Sequence, residues 1–300
     1  MKMSKDQSDL FVLSLIVPIL SKLLYSPEFK PDKRRGKRMS IHSILRIGIF
    51  LSLMSGVNAQ EPSAPGGLAM LAQTDREGPV TVIDLVKFKP GGEESYDEYD
   101  ALAEAKLNSL GGEVIFRGYS KSFEGEASNR EAARIGGDPS VLGWDRVTMR
   151  KYPSANAVVE MGASSEYRAA FQHRMQSVEE SLVYAFVGNA MPRVPASDFA
   201  DAVYMLNLLR FNDDGGEAGY RDYGRSVGPL IQQAGARVVL SMNGFTAVIS
   251  EEEIDRVILV YYPSPEIFLS MVESPEYLAI AHKRIDSIEL GLNIPFSDHR

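Results

Sequence analysis

Met205-Leu-Asn-Leu-Leu-Arg-Phe211 is followed by Tyr220-x-x-Tyr223 and Gly235, and the same pattern stands earlier in the chain. The earlier copy reads Asp84-x-x-Lys87-Phe88, Tyr96-x-x-Tyr99 and Gly111. A second arm repeats as well, with Asp145-Arg146-Val147, Tyr152-Pro153-Ser154, Glu166-Tyr167 and Arg174 matched by Asp255-Arg256-Val257, Tyr262-Pro263-Ser264, Glu276-Tyr277 and Arg284. A repeat of about 100 residues has the size of a small domain. The sequence therefore predicts two related modules, residues 80–189 and 203–300, joined by a linker at 190–202.

Each module is predicted to have an α+β architecture. Val80–Phe88 is rich in β-branched and apolar residues and ends at a proline and two glycines, which is typical of a strand and its turn. An apolar stripe with helical spacing follows and returns 124 residues later: Tyr96, Tyr99, Ala103, Leu107 and Leu110, then Tyr220, Tyr223, Val227, Ile231 and Ala234. Two short strands, a second helical region and a last strand complete the order β-α-β-β-α-β, the ferredoxin-like unit.

The first 59 residues carry the pattern of an export signal. A basic cluster at 33–38 precedes the eleven-residue apolar run Ile47–Val57, and Val57-Asn58-Ala59 ends it. This order predicts a secretory signal peptide at 39–59 and a periplasmic or secreted protein. The apolar run is shorter than the roughly 20 residues that span a bilayer, and an N-terminal membrane anchor is the alternative. Residues 1–38 form an unassigned leader, with translation starting at Met1 or Met39, and 60–79 are expected to be flexible.

Charge and cysteine content exclude several function classes. Residues 1–59 carry ten Lys and Arg against four Asp and Glu, so the other 241 residues carry 22 basic and 36 acidic residues, a formal net charge of −14. Such a surface disfavours nucleic acid, which needs a basic footprint. The absence of cysteine rules out disulfides and thiol catalysis. His173 and His282 do not occupy equivalent repeat positions, and we expect no metal and no cofactor.

Several of these motifs together resemble a known family, the domain of unknown function 1330. They are the strand Met205–Phe211, Tyr220-x-x-Tyr223, the Gly-Gly-x-Val-x-x-Arg-Gly run at Gly111–Gly118, the Tyr-Pro-Ser turns and Ser274–Tyr277. The resemblance covers both modules, is stronger in the second, and implies membership of the dimeric α/β barrel superfamily. It further implies that the sheets of the two modules close one barrel within the chain, with the helices outside.

Six polar residues on the predicted strands are candidates for a ligand site in the barrel lumen: Asp84, Asn207, Arg146, Arg256, Tyr152 and Tyr262. Alternation along a strand puts Arg146, Thr148, Arg150 and Tyr152 on one face and Val147 and Met149 on the other. The apolar face is expected to pack under helices, which leaves the polar face to the lumen. There, arginine could hold a carboxylate or enolate, and tyrosine or Asp84 could exchange a proton. The alternative is that Asp–Arg pairs tie the strands together and the tyrosines fill the core.

Three functions are compatible with these sequence features. The first is a protein that binds a small apolar or aromatic molecule in the lumen, and the second is a cofactor-independent oxygenase or isomerase of aromatic or enolisable substrates. The third is a structural homo-oligomer with a filled barrel. The repeat offset falls from 124 to 110 residues between the two arms, so the first module has 14 extra residues within 120–143. This polar segment is either a binding loop or a tolerated insertion.

Overall fold

The computed structural model describes residues 65–74, 77–121, 143–188, 191–243, 246–247 and 253–299, all within one compact unit that spans Pro62–Arg300. The predicted leader at 1–38 and signal peptide at 39–59 lie outside the described residues. So do positions 122–142, which form most of the segment where the sequence places the 14 extra residues.

The described elements run in a similar order in the two halves, except that α1 precedes the first and the short strand β7 is added in the second. The first half contains α1 (Pro65–Ala72), β1 (Val80–Phe88), α2 (Glu93–Ser109), β2 (Glu113–Ser120), β3 (Arg146–Tyr152), α3 (Ala155–Ala163), α4 (Ser165–Ser177) and β4 (Val178–Val187). The second half contains β5 (Val203–Phe211), α5 (Gly216–Gln233), β6 (Arg237–Asn243), β7 (Thr246–Ala247), β8 (Arg256–Tyr262), α6 (Pro265–Val272), α7 (Pro275–Ile285) and β9 (Ile288–Ser297). The α+β class is confirmed, and β1 has the bounds that the sequence predicts.

The second helical region of each half is two helices, where the sequence predicts one. Serine residues explain the break, because their hydroxyl groups cap the start of the next helix. Ser164 Oγ accepts the N–H of Tyr167 at 3.2 Å, and Ser274 Oγ accepts the N–H of Tyr277 at the same distance. Pro275 then occupies the first turn of α7, where its missing N–H costs nothing.

The strands form one antiparallel sheet in the order β6-β8-β5-β9-β2-β3-β1-β4-β7. Its two halves join where Tyr119 and Ser120 of β2 pair with Ser297 and Phe296 of β9. At the far end, Thr246 and Ala247 of β7 pair with Ala185 and Tyr184 of β4. The strands at the two ends of this order, β6 and β7, are consecutive in the chain, and residues 244 and 245 between them lie outside the described part.

The buried apolar side chains form three clusters. One cluster, which we call the shared core, takes residues from both halves, including Ile83, Val147, Phe116, Tyr204 and Leu206. The other two lie between strands and helices, one in each half. Each large side chain fully buried in these clusters contributes about 1.5–3 kcal/mol to folding, so the shared core ties the two halves together.

Helix α1 lies within the segment 60–79 that the sequence predicts to be flexible. Its Leu71 is buried against the strand–helix cluster of the first half, beside Val80 and Tyr152. The structure thus places a helix at Pro65–Ala72, and flexibility of the segment 60–79 stays a prediction. In the part of the chain that the structure describes, no helix is long and apolar enough to cross a membrane.

Candidate functional site

The polar face of β3 packs under the helices, which reverses the predicted orientation. Val147 and Met149 belong to the shared core, whereas Arg146 and Arg150 pair with acidic residues of α2. The prediction reserved the helix side for apolar residues, but α2 brings aspartates to that side. Charge complementarity therefore lets a polar strand face be buried there. The space between the halves receives the apolar face.

Asp84 lies at the centre of the polar contacts in the first half. Its carboxylate accepts a hydrogen bond from Arg174 Nη2 at 2.7 Å and from the Tyr96 hydroxyl at 3.2 Å, and Arg150 Nη1 lies 3.5 Å away. Burial and the Asp84 charge raise the pKa of Tyr96 far above its usual value, so this phenol stays protonated and donates. Burial alone would lower the pKa of Arg174, but Asp84 and neighbouring tyrosines raise it.

A second carboxylate, Asp100 on α2, completes this ion network. It pairs with Arg150 through a short hydrogen bond and with Arg117 Nε at 2.9 Å. Arg117 also donates to Glu104 at 3.0 Å. The network has buried charges of both signs in direct contact, which is the arrangement that makes the removal of one partner costly.

Tyr152 and Tyr262 fill the strand–helix cores. Each belongs to the helix-side cluster of its own half, and the Tyr262 ring contacts Phe268 with 5.0 Å between ring centroids. Burial raises the pKa of both phenols well above the usual value, so neither can act as a base near neutral pH.

Asn207 takes the place of Asp84 in the second half. Its Oδ1 accepts a hydrogen bond from Arg284 Nη2 at 3.4 Å, and its Nδ2 donates to the Met205 carbonyl. The six candidate residues therefore form two sets of three, one on the helix side of each half, and do not converge on one lumen. Whether any of them binds a ligand stays a prediction.

Of the six candidates, Arg256 lines a pocket on the second half. The pocket has a volume of about 430 Å³ and lies where β5, β6, β8 and the first turn of α5 meet. Its lining includes Asp213, Gly216, Glu217, Asn243, Asp255 and Arg256. The guanidinium group of Arg256 donates to Glu217 at 3.0 Å and to Asn243 Oδ1 at 3.2 and 3.3 Å.

Two backbone features shape this pocket. Gly215 has a φ of +85°, a left-handed conformation that favours glycine, and this turn starts α5. Gly216 lies so close to the strand end that an added Cβ would come within 2.4 Å of the Ser287 carbonyl oxygen. Asp255 fixes the opposite wall, since its carboxylate accepts the Phe211 N–H at 2.7 Å.

The first half has a closed counterpart of this pocket around Arg146. Asp145 accepts the Phe88 N–H at 2.6 Å as Asp255 does for Phe211, and Glu93 pairs with Arg146 at 2.9 Å as Glu217 does with Arg256. The two halves differ in the residue opposite the arginine on the neighbouring strand, which is Tyr119 for Arg146 and Asn243 for Arg256.

The Tyr119 ring covers Arg146, with 4.8 Å between the guanidinium carbon and the ring centroid. Asp97 adds a second carboxylate to Arg146 at 2.5 Å, so its side chain is 1% exposed, whereas that of Arg256 is 18% exposed. The second half thus opens a pocket where the first half is filled by its own side chains.

Sequence reasoning identified Arg256 but missed Asn243 and Glu217 as its partners and Asp255 as part of the pocket wall. The signal was available, because Asp255-Arg256 repeats Asp145-Arg146 while asparagine replaces tyrosine at the repeat position of residue 243. In the described residues, no group of three or more His, Cys, Asp or Glu side chains could hold a metal ion.

Comparison with known proteins agrees with the resemblance of the second half. Residues 202–294 match the family model described as Domain of unknown function (DUF1330). No curated protein matches the sequence.

Several solved structures are similar to the chain. A protein of unknown function from Rhodopseudomonas palustris is 29% identical over 40% of this chain and 90% of its own, with a TM-score of 0.33. An anthrone oxidase-like protein is 11% identical over 74% of this chain and 91% of its own, with a TM-score of 0.48. A dimeric protein of unknown function with a ferredoxin-like fold, from Bacteroides fragilis, is 10% identical over 33% of this chain and 98% of its own, with a TM-score of 0.27.

Proposed function

We propose that this protein is an exported binding protein for a small molecule and that the ligand occupies the Arg256 pocket. The observation that carries this proposal is the pocket itself, with a volume of about 430 Å³ and a half-buried guanidinium group held in place by Glu217 and Asn243. A concave site with a few fixed polar groups is the usual form of a small-molecule site. Export rests on the signal-peptide pattern at 39–59.

The scaffold we propose is a tandem of two ferredoxin-like modules whose strands form a dimeric α/β barrel within one chain. The similar order of elements in the two halves supports the tandem. Among the described residues the sheet is open, because no pairing joins β6 and β7, the strands at its two ends. Closure of the barrel therefore rests on the family resemblance alone.

The pocket is a better candidate than the lumen for the ligand. Apolar side chains of both halves occupy the space between the strands, and Phe116 and Tyr204 lie in ring contact there, with centroids 5.0 Å apart. This shared core favours the structural homo-oligomer with a filled barrel as the second candidate function.

An oxygenase or isomerase at the same pocket is the enzymatic form of the proposal. Asp213, Glu217 and Asp255 are the carboxylates in the lining, and a carboxylate can accept a proton from a bound substrate. Turnover of the bound molecule would distinguish this form from simple binding.

Native mass spectrometry of the full chain, purified gently from its producing cell, tests the proposal. We expect a retained small molecule in the wild-type protein and its loss in Asn243→Tyr, which places in the pocket the ring that fills its counterpart. Val238→Thr is the matched control, because Val238 is an exposed residue of the same strand.

Two outcomes would overturn the proposal. Equal retention by the wild type and Asn243→Tyr would place the ligand elsewhere. A bare mass, together with no change in melting temperature when small-molecule extract of the producing cell is added, would favour the filled-barrel homo-oligomer.

A further inference from the structure

The groups that surround Arg146 in the first half indicate which ligand groups could bind Arg256 in the second. Arg146 contacts the Glu93 and Asp97 carboxylates and lies over the rings of Phe88, Tyr96 and Tyr119. In the second half Glu217 reproduces the Glu93 contact, and Phe211 reproduces the Phe88 contact. Asp97 and Tyr119 have no such counterpart, because Arg221 and Asn243 hold their repeat positions.

The carboxylate that the second half lacks would bind one particular nitrogen of the guanidinium group. Nη1 of Arg146 donates to Asp97. Arg256 uses Nη2 and Nε for Glu217 and Asn243, and its Nη1 has no hydrogen-bond partner among the described residues. The repeat position of Asp97 is held by Arg221, which reaches Glu217 at 3.5 Å and supplies no acid.

The aromatic ring that the second half lacks is missing at residue 243. Asparagine is shorter than tyrosine, and its amide reaches Arg256 by hydrogen bonds without covering the guanidinium plane. One plane of Arg256 already lies over Phe211, with 5.3 Å between the guanidinium carbon and the ring centroid. Guanidinium groups stack on aromatic faces, and this contact strengthens where water is excluded.

We propose that the Arg256 pocket takes a small aromatic carboxylate. Its carboxylate would bind Nη1 of Arg256 as Asp97 binds Arg146, and its ring would take the place of the Tyr119 ring. Three carboxylates also line the pocket. Glu217 is paired with Arg256 and Asp255 accepts the Phe211 N–H, so Asp213 is the lining carboxylate that most opposes such a ligand. This inference rests on the proposed function and specifies its ligand class.

The test is isothermal titration calorimetry of the full chain with benzoate, benzamide and cyclohexanecarboxylate. We expect one benzoate per chain, and at least about tenfold weaker binding of benzamide, which lacks the charge. Cyclohexanecarboxylate, which lacks the aromatic face, should also bind more weakly. Asn243→Tyr should abolish the benzoate signal, and Val238→Thr should leave it unchanged.

A gain-of-site variant tests the same ligand class in the first half of the chain. Asp97→Arg with Tyr119→Asn gives the first half the residues of the second, and benzoate stoichiometry should rise from one to two per chain. Equal affinity for benzoate and benzamide, or no benzoate binding, would overturn the ligand class. If another molecule still binds the wild type and not Asn243→Tyr, the pocket function survives that failure. If no molecule does, both proposals fail.

Discussion

Replacing Asp84 by asparagine perturbs the buried ion network at its centre while keeping the shape of the side chain. The carboxylate accepts from Arg174 at 2.7 Å and lies 3.5 Å from Arg150, and all three side chains are 4–6% exposed. Because these side chains are buried, water cannot solvate the arginine charges that Asp84 no longer neutralises. We expect Asp84→Asn to lower the free energy of unfolding by about 3–5 kcal/mol, the usual cost of removing one partner from a buried ion pair.

The second half of the chain shows how that loss can be offset. It has Asn207 at the repeat position of Asp84. It also has Val260 at the repeat position of Arg150, since Val260 pairs with Met205 as Arg150 pairs with Val82. The double variant Asp84→Asn with Arg150→Met removes one charge of each sign. It should lie within about 2 kcal/mol of the wild type, because a buried ion pair can often be replaced by apolar residues at little cost.

Urea denaturation of the wild type, both single variants and the double variant closes the mutant cycle. The coupling energy between the two positions should be at least about 2 kcal/mol, with similar dependence of the free energy on urea in all four proteins. Additive effects of the two substitutions would refute the reasoning, because they would mean that Asp84 and Arg150 do not compensate each other's charge.

Three further predictions concern the cores and the pocket wall. Burial raises the pKa of seven tyrosines: Tyr96, Tyr99, Tyr152, Tyr204, Tyr220, Tyr223 and Tyr262. They stay neutral when folded but ionise in the unfolded chain above about pH 10, so stability should be unaffected by them below that pH and fall above it by about 1.4 kcal/mol per pH unit for each tyrosine. Urea midpoints followed by tyrosinate absorbance measure this, and a flat alkaline profile would contradict it. Gly216→Ala should destabilise the protein by about 1–3 kcal/mol, since the new Cβ meets the Ser287 carbonyl, whereas Gly224→Ala in the same helix, with nothing within 4 Å, should stabilise it by up to about 1 kcal/mol; calorimetric melting of both variants compares them. Phe116→Ala should cost about 3–5 kcal/mol by opening a cavity beside Tyr204, and a loss below about 1 kcal/mol in urea would show that the shared core is loosely packed.

The sequence was a good guide to elements whose signal is local. The strand Val80–Phe88 has the predicted bounds because a β-branched run ends at turn residues. The helical stripe Tyr96, Tyr99, Ala103 and Leu107 is buried as its spacing predicts. Both signals depend on neighbours within a few residues, which a single sequence contains.

The orientation of the strands required information from the partner elements. Alternation correctly separates Arg146 from Val147, but it does not say which face meets the helices. That choice depends on α2, whose Asp97 and Asp100 neutralise the arginines of β3. A helix whose aspartates directly follow the residues of its apolar stripe, as Asp97 and Asp100 follow Tyr96 and Tyr99, can bring carboxylates to a charged strand face beneath it.

The open pocket follows from a difference between repeats, while the fold follows from their likeness. Repeated residues such as Asp145 and Asp255 perform the same structural task, since each accepts the N–H at the end of the neighbouring strand. A position that holds different residues in the two halves, while its neighbours are the same, is not needed for that structural contact. Tyr119 and Asn243 are such a pair, because both face an arginine across the same strand pairing and only the tyrosine covers it. In a chain that pairs two such halves, the filled half can therefore serve as a structural template for the ligand of the open one.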